Sequence, residues 1–285
     1  MDKHNVSTID RANILWQIFT YMILLLVLVV AVFPGIWMIS TAIKTPMEQF
    51  VNPPRIIPEN PIIDNFIRVF NTPVMFTAFV NSVLITASVV AITLLISILA
   101  GFGFSRFKFR GSGTLKIMLL FGQMIPGVVL IIPLYFMFVG WGLLDTQLSL
   151  VIANLALAIP MGVIMLGSFF DTIPRELEDA AKIDGCTGLS ALFRVVVPIA
   201  KPGLIAVAIY TYINSWEEFL FALNLSISAS TRTLPIAIHM FAGEFTVDWG
   251  ATMAASTVVA LPVLLIFLTC NKYFVRGLSE GAVKG

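Results

Sequence analysis

Long uncharged runs constrain the fold of this chain more than any other feature. One run separates Arg11 from Lys44, and another separates Arg68 from Arg106. A helix needs about 20 mainly apolar residues to cross the hydrocarbon core of a bilayer. The runs therefore predict an all-α, polytopic membrane protein with six transmembrane helices. The predicted helices cover residues 15–39, 76–104, 117–139, 147–170, 202–225 and 251–271.

The composition agrees with this prediction and excludes other classes of protein. Hydrophobic residues make up 58% of the chain and charged residues 12%, and the mean hydropathy is +0.96. A soluble domain has about twice that share of charged residues. A net charge of +1 provides no basic surface for nucleic acid. The first apolar run is too long for a signal-peptide core and no small-residue cleavage site follows it, so we expect a retained anchor.

The distribution of Lys and Arg predicts how the helices are oriented. Six crossings place both termini on one face with the connections 106–116 and 171–201, and this face carries 13 of the 17 basic residues. Short basic loops stay cytoplasmic, so we expect both termini to be cytoplasmic. Cys186 and Cys270 then lie on the reducing side, where no structural disulfide is expected. The basic residues of the opposite face are Lys44, Arg55, Arg68 and Arg232.

Residues 171–203, here called the coupling loop, form the longest polar interruption in the second half of the chain. They contain nine of the 33 charged residues. We expect two short helices, the first capped by Asp171 or Thr172 and stopped by Gly185 in a left-handed conformation. Thr187 is placed to cap a second helix that ends at Pro198.

The spacing within this loop is specific. Asp179-Ala180-Ala181 is followed after three residues by Gly185, and nine further residues lead to Val195-Val196-Val197-Pro198. This pattern resembles the EAA loop of ABC-importer permeases, EAA-x3-G-x9-I-x-L-P, with Asp for Glu and valines at the Ile and Leu positions. The resemblance implies a coupling helix that docks into an ATP-hydrolysing subunit; an ordinary cytoplasmic helical hairpin is the alternative. The residues assigned to ATPase coupling are Glu178, Asp179, Ala180, Ala181, Asp184, Gly185 and Pro198.

Two other segments resemble the carbohydrate-uptake branch of these permeases. The run NPPRIIPENPIIDNF resembles its proline-rich periplasmic segment, and we expect residues 44–73 to form an ordered but irregular external loop. The last residues resemble the GL-x-x-GAVKG ending of maltose-type permeases. By that resemblance the tail contacts the ATPase through Gly281, Ala282, Val283, Lys284 and Gly285.

The resemblance implies a type I ABC importer permease fold and a division of the chain into three parts. Residues 1–75 hold the N-terminal tail, the first transmembrane helix and the external loop; residues 76–271 form the permease core; residues 272–285 are the cytoplasmic tail. The implied partners are a second permease subunit in a heterodimer, two ABC ATPase subunits, a soluble or lipid-anchored substrate-binding protein, and membrane lipid. ATP and Mg²⁺ are expected on the ATPase subunits and no cofactor in this chain, which has no GxxxxGK[ST] motif. The implied location is the plasma (inner) membrane of a prokaryote.

The fifth predicted helix carries the candidate substrate pathway, at Asn214, Trp216, Glu217 and Glu218. A charged group costs roughly 2.5 to 3.5 kcal/mol near the bilayer centre, so the carboxylates should face the bundle interior or water. The spacing predicts that Asn214, Glu217 and Glu218 share one helix face. The segment resembles the Trp-Asn-Glu/Asp segment of carbohydrate permeases, with Glu217 where Asn is usual. Alternatively, the carboxylates pair within the bundle or lie near the external interface, and Trp216 is an interfacial anchor.

Other readings of the chain make different predictions. A proton- or ion-coupled secondary transporter would use Glu217 or Glu218, and would have no use for the coupling loop. An intramembrane enzyme would need a nucleophile–base or metal set, and His239 with Glu244 and Asp248 is a weak metal signal that a solvated loop explains better.

Small residues and prolines predict local packing within the spans. Ser97 and Gly101 are spaced to allow a close helix contact. Pro126 and Pro133 mark either bending points or packing kinks in the third span.

Overall fold

The computed structural model describes residues 4–241, 243 and 247–282, with side chains for residues 13–14, 16–241, 243 and 247–269. The regular structure of these residues is helical, which confirms the all-α prediction. A 3₁₀ turn covers Glu48–Phe50 and a π-helix covers Leu192–Val196. The α-helices are α1 (His4–Ala42), α2 (Asp64–Asn71), α3 (Pro73–Arg106), α4 (Ser112–Met124), α5 (Gly127–Gly140), α6 (Gln147–Asp171), α7 (Glu176–Ile183), α8 (Gly188–Ala191), α9 (Val197–Ile199), α10 (Lys201–Trp216), α11 (Leu220–Leu225), α12 (Leu234–His239) and α13 (Trp249–Ala282).

Among the described residues, four helical segments are long and apolar enough to cross a membrane. They are Trp16–Ala42 in α1, the whole of α3 and α6, and Trp249–Thr269 in α13. These segments confirm the first, second, fourth and sixth predicted helices within a few residues. The third corresponds to a helix pair bent by 98°. The fifth overlaps α10, the second member of a pair bent by 78° whose first member, Gly188–Ile199, lies in the coupling loop. The described residues thus hold up to six crossings if each bent pair is counted as one span.

The third span is broken at one of its two prolines. Helix α4 ends at Met124, and α5 begins after Pro126. Ile125 adopts the extended conformation that a following proline favours, and Pro126 has no N–H to continue the helical bonding. Pro133 lies inside α5 without a break. The third predicted span, residues 117–139, is therefore bent at Pro126, in agreement with the prediction of bending points, whereas Pro133 does not interrupt the helix.

The fifth span also differs from the continuous helix predicted for residues 202–225. Helix α10 ends at Trp216, and a separate short helix, α11, begins at Leu220. At its other end, α10 is bent away from the segment Gly188–Ile199. Glu217 and Glu218 consequently lie after the helix.

Contacts divide the chain into two compact units, Met1–Val69 with Phe241–Thr257 and Phe70–Met240 with Val258–Gly285. In the first unit, the Asn65 amide donates to the carbonyls of Ala42 and Lys44. Burial lowers the pKa of the Lys44 ammonium, although Glu48 acts against this, and the ammonium lies over the Trp37 ring. The Glu48 carboxylate accepts from the N–H groups of Glu59 and Asn60. Up to residue 63 the proline-rich segment is irregular as predicted, apart from the 3₁₀ turn, but residues 64–71 form the regular helix α2, so the prediction of an irregular loop through residue 73 is wrong for that part.

The second unit is built on a close contact between α3 and α6. A Cβ on Gly101 would lie 3.0 Å from the backbone nitrogen of Gly167. A Cβ on Gly162 would lie only 2.4 Å from Ser97 Oγ and 2.9 Å from Thr93 Cγ2. The small residues let the backbones approach, which confirms the predicted role of Ser97 and Gly101.

Candidate functional site

The first helix of the coupling loop starts later than predicted. Asp171 is the last residue of α6, and its carboxylate accepts a hydrogen bond from Ser105 Oγ at 2.6 Å. Thr172 donates its hydroxyl to the Phe169 carbonyl. Neither residue caps α7, whose N-cap is Arg175 without a side-chain bond. The predicted caps are therefore wrong, because α6 continues through Asp171 and the polar groups of both residues are engaged elsewhere.

The end of α7 and the start of α8 follow the prediction. Gly185 has φ +89°, and the N–H groups of Gly185 and Cys186 donate to the carbonyls of Lys182 and Ala181. This bond pair is the Schellman arrangement, which uses a left-handed glycine. Thr187 Oγ1 accepts from the Ser190 N–H at 3.3 Å. The second helical stretch continues through the π-helix to Ile199, one residue beyond the predicted end.

Exposure divides the residues assigned to ATPase coupling into two groups. Asp179, Ala180, Asp184, Gly185 and Pro198 are exposed. Glu178 and Ala181 are buried, at 6% and 7% exposure. The exposed group is free to meet a partner, whereas the buried pair faces the chain itself.

The assignment leaves out the two most exposed of the large apolar side chains on the same loop. Ile183 is 87% exposed and Leu189 is 64% exposed. The only signal in the sequence that marks them is an apolar residue within a highly charged loop. Together with Asp179 and Asp184 they give the loop a mixed apolar and acidic surface.

Arg106, the last residue of α3, lies beneath the loop. Its Nε donates to Glu178 Oε1 at 2.5 Å, and both side chains are only 7% exposed. Its two terminal nitrogens donate to the carbonyls of Phe170 and Ile173, at 2.9 and 3.0 Å. Arg175 donates to the Ser105 carbonyl. Sequence reasoning missed this group, since Arg106 stands out only as the charge that ends a span. We call Ser105, Arg106, Asp171, Arg175 and Glu178 the Arg106 cluster.

A small polar cavity lies between α6 and the end of α10, with a volume of about 90 Å³. Asn154, Tyr210, Asn214 and Glu218 are among the residues that line it. The lining hydroxyls of Thr211 and Ser215 are buried, and no hydrogen-bond partner is found for them among the described residues. The remaining lining residues are Val89, Leu157 and Ala158.

The predicted shared helix face of Asn214, Glu217 and Glu218 is wrong. Glu218 places one carboxylate oxygen 2.6 Å from the Phe221 nitrogen and the other 3.0 Å from the Ala222 nitrogen. A side-chain oxygen that accepts from the first N–H groups of a helix favours the start of a new helix over continuation of the old one. Glu217 is exposed, ends α10 and does not line the cavity. Of the four predicted pathway residues, the cavity therefore brings together Asn214 and Glu218.

Trp216 lies away from the polar cavity. Its ring is 2% exposed, stacks on Tyr212 at 5.5 Å, and donates from Nε1 to the Val259 carbonyl. It lines an apolar groove of about 650 Å³ with Phe79, Tyr212 and Pro262. Burial on this scale does not fit the alternative of an interfacial anchor.

Two further predicted sites are the weak metal site at His239 and the ATPase contact of the C-terminal tail. His239 packs against the Phe219 ring at 5.6 Å. The described residues contain no group of three or more His, Cys, Asp or Glu arranged to hold a metal, and Glu244 lies outside them. Gly281 and Ala282 lie in α13 without described side chains. Val283, Lys284 and Gly285 lie outside the described residues, so the tail contact stays a prediction.

A second polar centre lies at the connection between α5 and α6. The Asp145 carboxylate accepts from the N–H groups of Ile227 and Ser228 and from the Thr231 hydroxyl. Burial acts to raise the pKa of the Asp145 carboxyl, but these hydrogen bonds outweigh it and bring the pKa down to about 2. The carboxylate thus ties this connection to the segment that follows α11.

We expect Asp145→Asn to lower the melting temperature of the purified protein at pH 7. Because the folded pKa lies below the unfolded value of about 3.9, the stabilisation is present above pH 4 and is lost as the pH falls towards 2. The difference in melting temperature between the unmodified protein and Asp145→Asn should therefore shrink between pH 6 and pH 3. A difference that stays constant over this range would contradict the role of the carboxylate charge. Asp64→Asn, at an exposed position, serves as the control.

Residues 92–280 match the model of the binding-protein-dependent transport system inner membrane component. The sulfoquinovosyl glycerol transport system permease protein SmoH of Agrobacterium fabrum is 35% identical and is aligned over 91% of both chains. The diacetylchitobiose uptake system permease protein DasC of Streptomyces coelicolor is 31% identical, over 89% of this chain and 92% of that protein. The trehalose/maltose transport system permease protein MalG of Thermococcus litoralis is 31% identical, over 96% and 99%.

Comparison with solved structures gives the same fold. One chain of a bacterial ABC transporter involved in the import of the acidic polysaccharide alginate superposes with a TM-score of 0.81. It is 20% identical, and the alignment covers 93% of this chain and 98% of that one. A chain of the MetNI methionine ABC transporter superposes with a TM-score of 0.54 over 75% of this chain.

Proposed function

We propose, from the premise that this chain belongs to the family of binding-protein-dependent transport system inner membrane components, that the substrate it carries is a carbohydrate. As a family member it is the permease subunit of an ABC importer and not an enzyme. The observation that carries the proposal is the set of relatives that are 31–35% identical over about nine-tenths of the chain or more. Their names specify a glycosyl glycerol, a chitobiose derivative, and trehalose or maltose. A mono- or oligosaccharide or a polyol therefore fits best.

An importer of this family works with a substrate-binding protein and an ATPase. Our proposal for the finer assembly is a heterodimer with a different second permease, and two ATPase subunits that hold ATP and Mg²⁺. We place the protein in a prokaryotic inner membrane with both termini in the cytoplasm. The excess of basic residues on the face that contains the coupling loop supports this orientation.

The coupling loop is proposed to dock on the ATPase through its exposed residues Asp179, Ala180, Asp184, Gly185 and Pro198. Exposed apolar surface beside charged groups is typical of a docking site, and Ile183 and Leu189 extend it. ATP-driven closure of the ATPase pair then moves the loop, and the attached helices open the pathway alternately to the two sides. Family membership does not support the alternative of a proton- or ion-coupled transporter. In addition, both carboxylate oxygens of Glu218 accept hydrogen bonds from backbone N–H groups.

The polar cavity is proposed to line the substrate pathway on this subunit. Amide, hydroxyl and carboxylate groups are suited to the hydroxyl-rich surface of a sugar. A cavity of about 90 Å³ is well below the roughly 300 Å³ of a typical small-molecule site. This subunit therefore supplies one wall of the pathway, at Asn214, Tyr210 and Glu218, and the second permease supplies the rest.

We expect Asn214→Leu to reduce uptake about tenfold, because it removes a hydrogen-bonding group from the cavity wall. Asn224→Leu is the matched control, since both asparagines are exposed and donate to the carbonyl four residues earlier, at Tyr210 and Leu220. Both variants should assemble normally. Equal uptake by the two variants would contradict the pathway assignment. Glu218→Gln is also expected to alter transport more than assembly, but it disturbs the start of α11 as well, so Asn214 gives the cleaner result.

Reconstitution of the importer tests the proposed substrate. The associated binding protein would be titrated calorimetrically with maltose, trehalose, chitobiose and glycerol glycosides, and with amino acids as the contrast. The best ligand would then be supplied in labelled form to proteoliposomes that contain the complete complex. Uptake of a carbohydrate that requires ATP is the expected result. A binding protein that takes only amino acids would contradict the proposal.

A further inference from the structure

A buried ion pair joins the coupling loop to a membrane-spanning helix. Arg106 ends α3 and Glu178 lies in α7, 72 residues further along the chain. Their side chains are 2.5 Å apart and are shielded almost completely from solvent. Removal of one partner from such a pair leaves an uncompensated charge in the interior. The pair is therefore a specific connection that the fold maintains, unlike the exposed pair of Lys182 with Asp179 in the same helix.

The same guanidinium also holds the end of α6. The last carbonyls of a helix lack partners within the helix and need donors from outside. Arg106 donates to the carbonyl of Phe170 in the last turn of α6 and to that of Ile173 just beyond it. A guanidinium has a planar set of donors that can serve three acceptors at fixed angles, which an ammonium group cannot reproduce.

Two further bonds close the group. Ser105 donates its hydroxyl to Asp171 at the end of α6, and its carbonyl accepts from Arg175 at the start of α7. The ends of α3 and α6 and the beginning of α7 thus meet in the Arg106 cluster.

Neighbouring residues of α7 face in different directions. The Glu178 side chain is 7% exposed and bonded to Arg106, whereas that of Asp179 is 67% exposed. The helix therefore has one side bonded to the membrane helices and another side open to a partner. This arrangement suits an element that receives a displacement on one side and passes it on from the other.

We infer that the Arg106 cluster is the joint that transmits movement of the coupling loop to α3 and α6, with Arg106 and Glu178 as positioning residues for transport. The inference rests on the proposed function of the loop and of the polar cavity. It separates two roles within the loop: Asp179 and its exposed neighbours bind the ATPase, and Glu178 converts that binding into helix movement. Loss of Glu178 should therefore uncouple the helices from the ATPase without releasing the ATPase.

The test measures the pathway response to nucleotide in the complete importer complex. In a Cys186→Ser, Cys270→Ser background, the reactivity of Asn214→Cys towards a membrane-impermeant maleimide is compared without nucleotide and with ATP and vanadate. With the cluster intact, we expect the labelling rate to change by about fivefold or more. With Glu178→Gln added, the change should fall below about twofold while the ATPase still copurifies. Glu176→Gln, at an exposed position of the same helix, should keep the full response.

A full response in Glu178→Gln would overturn the inference, and so would loss of the ATPase from an otherwise folded complex, because Glu178 would then be a docking residue. If Glu178→Gln does not assemble, Arg175→Ala is tested in its place, because it removes the side-chain hydrogen bond to the Ser105 carbonyl. A reduced labelling response to nucleotide is then expected, and a full response would overturn the inference.

The proposed function can fail separately. If Asn214→Cys does not respond to nucleotide even with the cluster intact, the pathway assignment is wrong. The role of the Arg106 cluster is then tested by measuring how far the loaded binding protein stimulates ATP hydrolysis. This measurement needs no reporter residue in the pathway. Glu178→Gln is expected to abolish this stimulation, and its retention would overturn the inference.

Discussion

Gly185→Val is expected to reduce ATP-driven uptake at least about tenfold while membrane insertion stays normal. Gly185 ends α7 at φ +89°, where a side chain is strained by roughly 1–2 kcal/mol and a β-branched one by more. Relief of that strain breaks the bonds from Gly185 and Cys186 to the end of α7. The exposed residues Ile183 and Asp184 then move out of their docking positions. Uptake into proteoliposomes and copurification of the ATPase would measure the effect.

Gly188→Val is the matched control for this prediction. Gly188 is only three residues away in the same loop, has no positive φ, and a Cβ there would meet nothing within 4 Å. The same side chain is thus added to the same surface without backbone strain. Wild-type uptake in Gly185→Val, or equal losses in the two variants, would count against the left-handed turn as the critical feature.

Gly162→Ala is expected to destabilise the subunit by about 1–3 kcal/mol and to lower its amount in the membrane. Its Cβ would lie 2.4 Å from Ser97 Oγ, so either the Ser97 and Thr93 side chains must shift or α3 and α6 must move apart. The melting temperature of the purified subunit measures the effect. Gly103→Ala, on α3 with open space around its Cβ, should be close to neutral.

A second substitution tests the cause of that instability. Ser97→Gly removes the hydroxyl that the new methyl group meets, so Gly162→Ala combined with Ser97→Gly should recover part of the lost stability. The recovery is partial, because Thr93 Cγ2 remains 2.9 Å from the added Cβ. If the two substitutions together are only additive, the contact between α3 and α6 is not the source of the effect.

Local chemistry is what the sequence predicts well here. Runs without charge mark the spans, Gly185 marks a left-handed helix end, and Thr187 marks a helix start, because each depends on residues within a few positions. The spacing of Ser97 and Gly101 predicts a close helix contact, although it does not identify Gly162 and Gly167 as the other side.

Long-range bonds account for what sequence reasoning missed. Nothing in the sequence pairs Arg106 with Glu178, since the contact exists only after the ends of α3 and α6 have packed together. Asp171 could serve as a helix cap by its type and position, but Ser105, 66 residues earlier, takes its carboxylate. Periodicity alone also extends α10 through Glu218, whereas the carboxylate instead starts a new helix.

Docking of the coupling loop on the ATPase can be tested directly by site-specific photo-cross-linking in the assembled complex. In one variant, a benzophenone amino acid would replace Ile183, which lies in the coupling loop and is 87% exposed. In a second variant, it would replace Ile57, which lies in the proline-rich segment and is 82% exposed. The predicted result is a cross-link from position 183 to the ATPase subunit and none to the ATPase from position 57. A cross-link to the ATPase from position 57 but not from position 183 would contradict the proposed docking.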